Sequence, residues 1–81
     1  IITRILNVDA KRQYILTMSN HNPSSIIQFM VSPNTIILDA SGNQIGLEQL
    51  AVGMRVSIAH AAFMTASIPP QTTAFVIQVL R

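Results

Sequence analysis

Leu47-Glu48-Gln49-Leu50-Ala51-Val52-Gly53-Met54-Arg55-Val56-Ser57-Ile58-Ala59-His60-Ala61-Ala62-Phe63 holds the one helical signal in the chain and the start of its longest strand. Leu47 and Leu50 stand three apart around Glu48 and Gln49, as in a single helical turn, and Gly53 suits the position just past its end. From Met54 the period becomes two. Met54, Val56 and Ile58 alternate with Arg55, Ser57 and Ala59, which predicts a strand over residues 54–63 with one apolar face. One helical turn cannot form a layer of its own, so the strands on either side decide the fold.

Working outward, the N-terminal side reads as strands over residues 1–8 and 13–19, joined by a tight turn at 9–12. A loop at 20–24 leads to a third strand at 25–31. Ser32-Pro33-Asn34 breaks or bends it, because proline cannot donate to a ladder, and 35–38 follows as a short fourth strand. Residues 39–43 form a hairpin loop, with Gly42 available for positive φ. On the C-terminal side, residues 64–71 form a loop whose Pro69-Pro70 pair favours polyproline II, and 72–81 is the last strand. The predicted fold is all-β: one domain over residues 1–81, a small OB-like antiparallel β-barrel of five to six strands with one short helical turn.

Charge is scarce. The chain has eight charged side chains, Arg4, Asp9, Lys11, Arg12, Asp39, Glu48, Arg55 and Arg81, which is 10% against about 25% in an ordinary soluble domain. Residues 13–38 and 56–80 carry none. Mean hydropathy is +0.45. At 8.8 kDa a folded monomer exposes about 4,800 Å², too much for eight charges to cover. The deficit predicts that other copies or a partner cover part of the surface. Small domains usually need a staple. With no cysteine to make disulfides and no visible metal cluster, oligomerisation is the one that remains.

The strand faces predict the same. Residues 25–31 present Ile26, Gln28 and Met30 on one face and Ile27, Phe29 and Val31 on the other. The last strand presents Phe75, Ile77 and Val79 opposite Ala74, Val76, Gln78 and Leu80. A half-wet antiparallel strand should alternate apolar and polar, and these two do not. The strands at 14–18 and 26–31 also lack the lysines and prolines that protect free edges. They must close the barrel or pair with another subunit, with residues 1–8 as a possible donated strand. A head-to-tail contact of that type makes a ring or an open filament.

Ser32-Pro33-Asn34-Thr35, the run LEQLAVGMRV at 47–56 and SIPPQTTA at 67–74 resemble small bacterial OB-like barrel domains, many on secreted or lipid-anchored proteins of Gram-positive bacteria. The shared pattern is an "L..L..G..V" element before a long strand, a proline-bearing loop, and "A..I.V" at Ala74, Ile77 and Val79. The resemblance implies the fold and an extracytoplasmic setting. It implies no chemistry.

Chemical motifs are weak. His21 and His60 are 39 residues apart, with only Asp9, Asp39 or Glu48 to complete a metal site; a hydrogen-bonded structural histidine is the simpler reading. Ser, His and Asp occur without a G-x-S-x-G elbow. Residues 39–43 lack the acidic spacing of a calcium loop. The cations do not form a basic patch, which argues against nucleic acid. No run of about 20 apolar residues is present to span a membrane as a helix.

The expectation is a non-enzymatic, self-associating structural subunit, an extracellular or cell-surface filament protein, with copies of itself as partner and no cofactor. Its contacts are expected at Ile2, Ile5, Ile26, Ile27, Phe29, Ile68, Pro69, Pro70, Phe75, Val76, Ile77 and Leu80. The alternative is a small oligomeric OB-like module that binds an oligonucleotide or a cell-envelope polymer. The start at Ile1 agrees with a processed mature chain or with a segment of a longer one.

Overall fold

Five strands close on themselves in the order β1-β2-β3-β5-β4 and back to β1. The computed structural model describes residues 1–19 and 22–80, without the side chain of Pro23. The strands are β1 (Ile2–Asp9), β2 (Tyr14–Met18), β3 (Ile27–Leu38), β4 (Arg55–His60) and β5 (Gln71–Val79). Short 3-10 turns occupy Pro23–Ser25 and Leu47–Gln49. The second lies between β3 and β4, where the single helical turn was expected. This is the OB-like barrel predicted from the order of elements, with one refinement: β3 and β5 pair in parallel and the other pairs are antiparallel.

The exposed area, 4935 Å², is close to the figure of about 4,800 Å² for a compact monomer of this mass. Inside, side chains stack in rungs that run around the wall. Ile37, Ile77 and Ile58 lie in register across β3, β5 and β4. Val8, Ile15, Phe29 and Thr72 lie in register across β1, β2, β3 and β5. All of these except the half-buried Val8 are buried. Each aliphatic or aromatic side chain fully buried this way is worth about 1.5–3 kcal/mol, and Leu47 and Leu50 of the 3-10 turn belong to the same core.

Two of the expected strands are one. β3 continues through Ser32-Pro33-Asn34 as a bend, not a break. The Ser32 N–H donates to Thr35 Oγ1 at 3.0 Å, the Asn34 N–H to Ser32 Oγ at 3.2 Å, and Thr35 Oγ1 donates to the Ala74 carbonyl at 2.7 Å. The bend therefore stays stitched to β5 while its ladder is interrupted between Val31 and Ile36. Two glycines adopt positive φ, Gly42 (88°) and Gly53 (92°), in the turns that flank the 3-10 element, and Gln13 does so (60°) at the end of the β1–β2 turn.

Bulges correct the reading of the faces. In β5, Ala74 pairs with Val31 and His60, and Val76 pairs with Ile36 and Ala59, so Phe75 is an extra residue with no partner on either side. It turns outward, and the inward set switches from Thr72 and Ala74 to Ile77. Part of the apolar doubling in β5 is one inner face changing parity. A similar shift lies between Ile5 and Asn7 in β1, which leaves Leu6 extra.

Closure also overturns the donated strand. Residues of β1 pair with β2 on one side and with β4 on the other, so the first strand is a wall of its own barrel. Any contact between copies must be made by side chains and loops.

Thr3 and Thr17 point into the core with side-chain oxygens that have no hydrogen-bond partner. Replacing such a hydroxyl by a methyl removes a desolvation penalty. Thr17→Val should raise unfolding free energy by about 1 kcal/mol, read from denaturant midpoints at constant m-value; a loss would mean that the hydroxyl is bonded. Ile77→Lys should abolish the β-rich circular dichroism spectrum, because it puts an ammonium inside the barrel. Val76→Lys, on the outside, should keep it. The opposite pair of spectra would contradict the assigned faces.

Candidate interaction surface

The connection from β4 to β5, residues 61–70, is a hairpin arm closed on itself. At its base the Ala61 N–H donates to the Thr73 carbonyl at 2.9 Å, and Thr72 Oγ1 donates to the Phe63 carbonyl at 2.9 Å. Further out, the Thr65 N–H donates to the Gln71 carbonyl at 2.9 Å and the Gln71 N–H returns to Thr65 Oγ1 at 3.0 Å. Ser67 Oγ donates to the Pro69 carbonyl at 2.9 Å, and the Pro70 carbonyl accepts from the Gln28 N–H of β3 at 2.9 Å. The expected extended proline run is thus a braced turn docked on β3.

These bonds tie the arm's polar groups to one another, and its large apolar side chains are left exposed. Ile68 is 99% exposed and Phe63 is 77% exposed, with Met64 beside them. The arm carries no charge. Such an arrangement is inverted with respect to water, since each Å² of apolar surface left wet forgoes about 25 cal/mol.

A second apolar area lies on the outer wall. Ile36, Val76 and Ala59 form one outward rung across β3, β5 and β4; Leu38, Gln78, Ser57 and Ile2 form the next, ending on β1. Phe75 (54% exposed) stands beside them in its bulge, and Ile2 and Ile36 are also exposed. Arg4 and Arg55, in register with each other, border this neutral area.

The third feature is a concavity of about 270 Å³ at the β3 bend. Val31, Pro33, Ile37, Ile45 and Leu47 supply apolar wall, and Ala10, Gln13, Ser32 and Glu48 supply other parts of its lining. The fourth is the outer side of β2 and β3, where Tyr14 and Met30 pair side by side next to the exposed Lys11 and Arg12 of the β1–β2 turn.

The expected contact residues divide. Ile5, Phe29 and Ile77 are 0% exposed. They build the core and cannot touch a second copy, which corrects the expectation for those three. Ile27 is half-buried and packs on the core. Ile26, Pro69, Pro70, Val76 and Leu80 are partly covered, and Ile2, Ile68 and Phe75 are exposed. Phe63, Met64 and Ile36 are exposed as well and were absent from the expected set. For Phe63 and Met64 the one sequence signal was the loss of alternation after His60, where Ala61-Ala62-Phe63-Met64 follows no strand period; Ile36 had none.

The weak chemical motifs resolve locally. His60 Nδ1 lies 2.8 Å from the Ala61 carbonyl and its ring lies against Phe29, centroids 5.4 Å apart. It is a half-buried, hydrogen-bonded histidine at the root of the arm. His21 and Arg81 lie outside the described residues. Among the described residues, no three His, Asp or Glu side chains come together, and no helix is long and apolar enough to cross a membrane. Asp39 Oδ1 accepts from the N–H groups of Ser41 and Asn43, both at 2.9 Å, so this carboxylate organises its own turn.

Comparison of the chain with family models, with curated proteins and with solved structures returns no match.

The Asn43 N–H is the largest of the hydrogen bonds that hold the Asp39 pKa below its ordinary 3.8. A depressed folded pKa stabilises above the unfolded value and is lost as pH falls through the folded one. Stability should therefore decline as pH drops below about 4, and Asp39→Asn should remove part of that decline in acid titrations of unfolding. An unchanged acid profile would contradict the role given to this turn.

Proposed function

We propose that this protein is a non-enzymatic structural subunit that binds copies of itself and adds head to tail into a filament at the cell surface or outside the cell. The observation that carries the reading is the arm at residues 61–70: uncharged, braced by its own hydrogen bonds, and carrying a fully exposed Ile68 and an exposed Phe63. A rigid arm loses little conformational entropy on docking, and its apolar tip gains most by leaving water. The neutral outer wall with Phe75, Ile36 and Ile2 offers further area without any charge to desolvate. The extracellular setting is supported by the Ser, Thr, Asn and Gln character of the polar surface and by the resemblance to secreted barrel domains.

A second reading has its own observation. The paired Tyr14 and Met30, close in sequence to Lys11 and Arg12, offer a stacking surface beside two cations, as a module for an oligonucleotide or an anionic envelope polymer needs. Salt separates the two, because phosphate binding weakens steeply with salt and apolar association does not.

Sedimentation velocity over a wide concentration series, repeated over roughly a tenfold range of salt, tests the proposal. The expected result is a weight-average mass that rises with concentration and holds or increases at high salt. A single monomeric species at every concentration would overturn it.

A further inference from the structure

We draw no further inference here: the strongest candidate, the uncharged arm at residues 61–70 with its exposed Phe63, Met64 and Ile68, belongs to the surface already described, and nothing in the structure shows what covers it.

Discussion

Barrel closure between β1 and β4 is the constraint on which everything else depends. The seam is short. Ile2, Thr3 and Arg4 pair with Ser57, Val56 and Arg55. The ladder extends through the Ile58 N–H to the Ile1 carbonyl at 2.7 Å, the Ile5 N–H to the Met54 carbonyl at 2.9 Å and the Gly53 N–H to the Ile5 carbonyl at 2.8 Å. With the seam made, alternate side chains of every strand have an inside and an outside, and no strand pair is left open at that edge. Ile5, Val56 and Ile58 then share one interior with Ile77 and Phe29. Without it, the same strands would present unpaired backbone beside strongly apolar side chains, a hazard for aggregation.

Closure also leaves the outer surface, and not a strand edge, as the place where a contact with another copy would form. A barrel of 81 residues has a small interior, and ten apolar side chains fill it. The chain has more apolar residues than that interior holds. The remainder is not spread evenly: apart from Val52 in the turn before β4 and Ile1, its exposed members sit on the arm between β4 and β5 and on the wall where β3, β5, β4 and β1 meet. Scattered exposed aliphatics are ordinary, but an arm whose polar groups bond to one another and whose Phe63, Met64 and Ile68 are exposed concentrates apolar surface in one place.

Much of the architecture was legible in the sequence because period two, turn residues and the Leu47–Gln49 turn are local signals. Gly42 and Gly53 stand where φ must be positive, and Tyr14–Met18 and the first strand fall within about a residue of their expected bounds. What was not legible is set by pairing between distant residues. Phe75 has no partner because β3 bends at residues 32–35 on one side and the β4 ladder shifts between Ala59 and His60 on the other, and nothing around Phe75 in the sequence says so. Reading both faces of β5 and of β3 as available for contact counted Ile77 and Phe29 among the contact residues, although both are buried. Ile5 was misplaced for a simpler reason: an apolar residue at a strand position has no signature that separates barrel interior from interface. The arm was partly visible, since its proline pair and Ile68 were singled out, but Phe63 was hidden at the end of an expected strand that stops at His60. The pocket at the β3 bend, built from segments far apart in the chain, had no sequence signal.

Electron microscopy of natively purified protein at physiological salt addresses the central claim most directly. An uncharged apolar arm, braced by its own hydrogen bonds on one closed barrel, predicts regular filaments with a repeat set by a single subunit about 33 Å in its longest dimension. A field of discrete particles of monomer size at high protein concentration would contradict the account.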